Sequence, residues 1–151
     1  MLYVVAMPSE IELIKPYSDW NGKGPVLVTG AGAVNVIQAL RDVPRNTMIM
    51  NVGYAGSNKI PVGTRCYIGK VRMYHPAAKI EDPVFDLNGT VPCYTAGDFV
   101  TETDIDEPCV FDMELAYILA MGFERVYAVK VVSDNLDYDE FEKNAGDMSG
   151  E

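Results

Sequence analysis

Val126-Tyr127-Ala128-Val129-Lys130-Val131-Val132-Ser133-Asp134 is a run rich in β-branched residues that ends on a carboxylate. Such a run reads as a buried strand, and its last residue falls at the carboxyl edge of a sheet, where open α/β folds bind their ligands. Twenty residues earlier, Val110-Phe111-Asp112-Met113-Glu114-Leu115-Ala116 reads as the opening of a helix that carries a second carboxylate, Glu114. Two carboxylates brought to one place point to acid chemistry.

Working outward from this pair, apolar runs of strand character occur at 2-6, 26-29, 47-52, 64-74 and 91-95, and helical patterns at about 9-15, 33-41 and 112-121. Strands alternating with helices predict an α/β fold whose central sheet is mixed but mainly parallel. The 64-95 stretch lacks helical periodicity and carries Pro76, Pro83 and Asn88-Gly89, so it reads as an antiparallel excursion. Ser9 is available to cap the helix after the first strand, and Pro16 closes it. The segment after Leu136, with Asp137, Asp139, Glu140, Glu142 and Asp147, offers little to bury and is expected to be partly mobile. No repeat or linker divides the chain, so 1-151 reads as a single domain.

With 151 residues, 48% hydrophobic and 23% charged, the chain can bury one core. A net charge of -10 with 12 basic residues argues against nucleic acid, whose phosphates need clustered Lys and Arg, and fits a small neutral or cationic ligand. The apolar start at Met1-Leu2-Tyr3-Val4-Val5 has no basic flank and is too short for an export signal or a membrane span. Cys66, Cys93 and Cys109 are odd in number and lack CxxC spacing, which favours a reducing cytoplasm over a disulfide framework or a zinc site. Gly30-Ala31-Gly32 is not GxGxxG, no metal constellation is visible, and no cofactor is expected. Tyr3, Tyr17 and Trp20 read as packing residues.

Several stretches, in order, resemble the nucleoside phosphorylase and nucleosidase superfamily, most closely its methylthioadenosine/S-adenosylhomocysteine nucleosidase branch. They are Ala6-Met7-Pro8-Ser9-Glu10, Thr29-Gly30-Ala31-Gly32-Ala33-Val34-Asn35, Asn51-Val52-Gly53-Tyr54-Ala55-Gly56, Ala96-Gly97-Asp98-Phe99-Val100, Asp112-Met113-Glu114 and Ser133-Asp134. The resemblance implies a three-layer α/β/α fold and cleavage of a purine nucleoside's N-glycosidic bond, with a 5′-modified adenosine such as methylthioadenosine or S-adenosylhomocysteine as the candidate substrate. It assigns Asp134 as general acid to the base, Glu10 as the carboxylate that orients water, and Glu114 as the ribose anchor with Met113 as an apolar wall. Phe99 would pack on the purine and Val100 would read its edge, with Ala55, Gly56 and Ser133 completing the substrate site.

Each carboxylate also has a plain structural reading. Asp134 could cap a following turn, and Glu10 or Glu114 could complement a helix dipole. His75 after Tyr74 resembles a step near the family's subunit interface and 5′ pocket, and reads equally as a surface histidine. The chain also departs from the family pattern. It lacks the usual long C-terminal helix, its Phe99-to-Met113 connection is short, and Tyr54 stands where a small polar residue is expected. These departures leave three readings: a nucleosidase, a purine nucleoside phosphorylase, and a catalytically degenerate nucleoside-binding or structural homologue. Neither glycine loop contains Arg or Lys, which favours water over phosphate. A homo-oligomer, a dimer for choice, is expected to cover sheet surface left by the missing helix. No membrane or nucleic acid partner is expected.

Overall fold

The computed structural model describes residues 1–16, 25–75 and 84–146; Tyr17, Trp20, Pro76, Pro83 and Asp147 lie outside them. The chain forms β1 (Leu2–Val5), a 3-10 helix (Pro8–Ile14), β2 (Val26–Val28), α1 (Gly32–Leu40), β3 (Met48–Ser57) and β4 (Arg65–Met73). There follow β5 (Phe85–Asp86), β6 (Val91–Thr95), β7 (Val110–Asp112), α2 (Leu115–Ala120), β8 (Arg125–Asp134) and α3 (Tyr138–Ala145).

The expected strand at the end of the chain is the ten-residue β8, which lies parallel to β3 along its length, Met48 opposite Arg125 and Ala55 opposite Val132. On its other edge β8 runs antiparallel to β4. The opposite edge of β3 pairs with β1 through Ile49–Asn51 and with β7 through Gly56 and Ser57. Because β6 joins β4 to β7, strands β3, β8, β4, β6 and β7 close into a ring, and β1 and β2 extend the sheet from it. The sheet is mixed and mainly parallel. The antiparallel excursion holds for β4 and β5 alone, since β6 returns parallel to β4.

Side chains alternate across a strand, and β1 shows the result. Val4 enters one apolar cluster with Val36 and Leu40 of α1 and Leu115 and Ile118 of α2, while Tyr3 and Val5 enter another with Ile14 and Val52. The even residues of β8 (Val126, Ala128, Val132) join the first cluster, and α3 packs on β8.

Three local expectations need correction. Ser9 does not cap the first helix; Met7 is its N-cap, the helix is 3-10, and Ser9 Oγ donates to the Ala145 carbonyl at 3.1 Å. Residues 110–112 are strand rather than helix, because Asp112 is tied to β6 and caps the helix that starts three residues on. The acidic segment forms α3. Asp137 accepts N–H bonds from Asp139 and Glu140, and Tyr138 and Phe141, three residues apart, both meet Phe99.

Arg45 ties the C-terminal ends of α1 and α2. Its guanidinium donates to the carbonyls of Val43 at 2.7 Å and Met121 at 2.9 Å, and lies 4.8 Å from the Phe123 ring centroid. Hydrogen bonds to a charged group are each worth about 1.5–3 kcal/mol. Arg45→Met is expected to lower the urea-unfolding free energy by about 2–4 kcal/mol, since the apolar stem can still cover Phe123 while the carbonyls lose their donors.

Candidate active site

A bulge between Ala55 and Gly56 shifts the β3–β8 register, so that Gly56 faces Asp134. This turn of register places the strand's last carboxyl over β3 rather than in solvent, and Asp134 is fully buried. Its Oδ1 accepts from Ser133 Oγ at 2.7 Å and its Oδ2 from Leu136 N–H at 3.0 Å. Burial raises the Asp134 pKa above the ordinary carboxylate range, against the pull of these donors. A Cβ at Gly56 would stand 2.9 Å from Asp134 Oδ2, so the absence of a side chain there is what admits the carboxyl.

Glu10 is held by three backbone N–H groups from two segments. Oε1 accepts from Ala6 at 2.8 Å and Met7 at 3.0 Å, and Oε2 accepts from Tyr54 at 2.7 Å. The carboxylate thereby joins the end of β1 to β3. Burial pushes its pKa up, opposed by Lys130 and by those donors.

Between these groups lies an ion pair that the sequence reading did not single out. Lys130, fully buried in the middle of β8, has Gly53 as its neighbour on β3 and Cys66 as its neighbour on β4. Small neighbours on both sides leave room for its ammonium, which sits 3.0 Å from Asp112 Oδ2. Asp112 also accepts from Thr95 Oγ1 at 2.6 Å and from Leu115 N–H at 2.9 Å, so it caps α2. Burial alone would raise Asp112, but Lys130, Thr95 and the Leu115 N–H outweigh it and hold the carboxyl below its usual range. Burial draws Lys130 down, but Asp112 first and Glu114 second keep the ammonium above its ordinary pKa. The available signal was a lone lysine in an apolar strand together with a lone aspartate in another apolar run.

Glu114 is the N-cap residue of α2, but its side chain does not cap that helix. The carboxyl reaches across to α1, where Oε2 accepts a 3.3 Å bond from Gly32 N–H. Gly32 has φ +85°, a left-handed conformation that glycine adopts readily and that turns this N–H toward Glu114. Burial, and then the Asp112 charge, push Glu114 to about 7 despite Lys130 nearby.

Glu10, Glu114 and Asp134 line one cavity of about 390 Å³, together with Met113, Phe99, Val100, Ala55 and Gly56. That volume falls in the range of roughly 300–1,000 Å³ usual for small-molecule sites. Ser133 stands behind it as a donor to Asp134 and is not part of its lining. Tyr54, Asp98, Phe111, Tyr138 and Phe141 also line the cavity and had not been assigned to it. Phe99 meets Tyr138 edge-on at 5.2 Å and Phe141 at 5.4 Å, so α3 closes an aromatic wall. His75 is exposed beyond β4 and lies outside the lining.

The same fold is found in solved structures of low sequence identity. More narrowly, the solved structures it resembles include nucleosidases. An Asp-to-Asn variant of CT263 (MTAN) from Chlamydia trachomatis bound to MTA matches with a TM-score of 0.72 at 18% identity, covering 96% of this chain and 88% of that one. A futalosine hydrolase mutant from Helicobacter pylori matches with a TM-score of 0.72 at 13% identity over 95% and 90%. An S-adenosylhomocysteine nucleosidase from Streptococcus pyogenes, in complex with 5-methylthiotubericidin, matches with a TM-score of 0.68 at 16% identity over 95% and 89%. No protein-family model and no curated protein matches the sequence.

Removing one partner of a buried pair strands the other's charge, at a cost of roughly 3–5 kcal/mol. Lys130→Met is expected to destabilise the fold by that amount in urea unfolding, and Lys130→Met with Asp112→Leu to regain at least half of it. Glu114 sets a pH dependence of stability. Its pKa rises from 4.5 to about 7 on folding, so its contribution is fully present below pH 4.5 and is lost as the pH climbs through about 7. Between pH 4.5 and 8 the parent chain is expected to lose about 3 kcal/mol more stability than Glu114→Gln, a difference that thermal melts across this range would resolve.

Proposed function

We propose that this chain hydrolyses the N-glycosidic bond of a purine nucleoside, with a 5′-modified adenosine such as methylthioadenosine or S-adenosylhomocysteine as its substrate. The observation that carries this reading is the meeting of Glu10, Glu114 and Asp134 in one cavity, against the aromatic wall of Phe99. The likeness of the fold to nucleosidases supports it.

Departure of the base leaves oxocarbenium-like charge on the ribose. A raised carboxyl at Asp134 can keep the proton that N7 of the purine must receive, and Ser133 and Leu136 fix the geometry of that carboxyl. Glu114 accepts the ribose hydroxyls and its charge favours the cationic transition state, with Met113 as the apolar wall of the sugar. Phe99 packs on the base, and backbone groups around Val100, with Ala55 and Gly56 opposite, read its edge. Glu10, immobilised by three N–H donors, orients and deprotonates the attacking water.

Water is favoured over phosphate by electrostatics. The nearest buried cation, Lys130, is already paired with Asp112, and an anion in the cavity would face Glu10 and Glu114. No cofactor takes part in this scheme.

We extend the reading to the whole molecule as a single domain in a three-layer α/β/α arrangement, with α1 and α2 on one face and the 3-10 helix and α3 on the other. It acts in the cytoplasm, in keeping with three buried free cysteines, and as a homo-oligomer, a dimer for choice. The exposed Val34 and Ile37 of α1, at 70% and 48%, offer apolar surface for that contact beside Ala31 of the cavity lining.

Asp134→Asn keeps shape and a donor but loses the transferable proton, so turnover is expected to fall by about 10²–10⁴ while nucleoside affinity changes much less. Glu114→Gln is expected to weaken binding and turnover together. Single-turnover kinetics beside equilibrium binding separates the two. The parent chain is expected to release base in phosphate-free buffer and to form free ribose. A rate that depends on added phosphate, with ribose 1-phosphate as product, points instead to a phosphorylase, and binding without turnover to a degenerate homologue.

A further inference from the structure

Glu10, Asp112 and Glu114 are three buried carboxyls facing one ammonium, Lys130. Their hydrogen-bond donors are unequally shared. Glu10 has three backbone N–H groups. Asp112 has the ammonium at 3.0 Å, a threonine hydroxyl at 2.6 Å and a backbone N–H at 2.9 Å. Among the described residues, Glu114 has the 3.3 Å bond from Gly32. A buried carboxylate is tolerated in proportion to the donors that replace its water. The last charge of the cluster is therefore least well compensated at Glu114.

We propose that the free site keeps a proton on Glu114, and that a nucleoside expels it to solvent on binding, because the two ribose hydroxyls supply the donors that this carboxyl lacks. The inference rests on the nucleoside reading of the site. The groups that face Glu114 act in opposing senses: Asp112 from β7 and Glu10 from the 3-10 helix favour its proton, while Lys130 from β8 and the Gly32 N–H from α1 oppose it. Tyr117, one turn along α2, is a phenol whose own ionisation is disfavoured by burial and then by Asp112 and Glu114. Burial and the Asp112 charge, which push Glu114 to about 7, act in the same sense as this shortage of donors. In the complex Glu114 is an anion accepting two hydroxyl bonds, and the proton passes to the buffer.

Calorimetric titration of the Asp134→Asn variant with methylthioadenosine tests this directly, since the amide that replaces this carboxyl slows cleavage of the ligand by about 10²–10⁴ and cannot take up a proton. In buffers of low and high ionisation enthalpy, the heats are expected to show release of about one proton at pH 6 and almost none at pH 9, with affinity falling about tenfold per pH unit below 6. Asp134→Asn combined with Glu114→Gln is expected to bind more weakly and to release no proton. Buffer-independent heats at pH 6 in the first variant, or equal release from both, would overturn the proposal. A second comparison leaves Asp134 unchanged. The parent chain and Glu114→Gln, each titrated with an uncleavable carbon-linked adenosine analogue at pH 6, are expected to differ by about one proton, and identical counts refute the inference. Failure of folded protein to bind either nucleoside at all would instead remove the nucleoside reading, and this inference with it.

Discussion

The pairing of Lys130 with Asp112 is the interaction on which the site depends. One ammonium, buried between β3 and β4, compensates carboxyls contributed by the first helix, by β7 and by the head of α2. The same Asp112 carboxyl caps α2 and bonds Thr95, whose hydroxyl in turn accepts the Ala116 N–H. The pair thus fixes where α2 begins, and with it where Glu114 stands. The contact fixes the position of that residue, and its two charges act on the residue's proton together with burial.

The second determinant is room. Gly53 and Gly56, three residues apart on β3, lie against Glu10 and Asp134 respectively, and a Cβ at either would come within 3 Å of a carboxylate oxygen. The glycines therefore act here through close approach rather than through unusual φ. Lys130 extends over the gap left by Gly53, with its Nζ 3.4 Å from where that Cβ would be. The register bulge after Ala55 serves the same end, since it sets Asp134 opposite Gly56 and leaves Ser133 free to orient the carboxyl from behind.

Much of this was legible in the sequence because long apolar runs resist other readings. The run at 126-132 lies within β8, and the ordered motifs single out Glu10, Glu114 and Asp134, which line one cavity. What stayed hidden depends on partners far apart in the chain. Val110–Asp112 is too short to show a period, so the pull of β6 and β3 decides it. The acidic composition of 137–145 concealed a helix whose two aromatic residues needed Phe99 as partner. Lys130 was masked by the valines around it, although a charge in such a run signals a buried pair as surely as it breaks the pattern.

A buried ion pair is a poor stabiliser, since well-packed apolar residues of similar volume commonly do as well or better. In this chain the surrounding carboxyls change that comparison. Replacing Lys130 and Asp112 with a methionine and a leucine would fill the space, but Glu10 would lose the cation that opposes its desolvation, and Glu114 would lose both its strongest repulsion and its compensating charge. The two losses at Glu114 act in opposite directions on its proton, whereas at Glu10 nothing offsets the missing ammonium except three N–H groups. The pair is therefore of greatest consequence at Glu10, where the ammonium opposes the upward push of burial. The carboxyls around the pair thus account for its place in the core better than its own contribution to stability does.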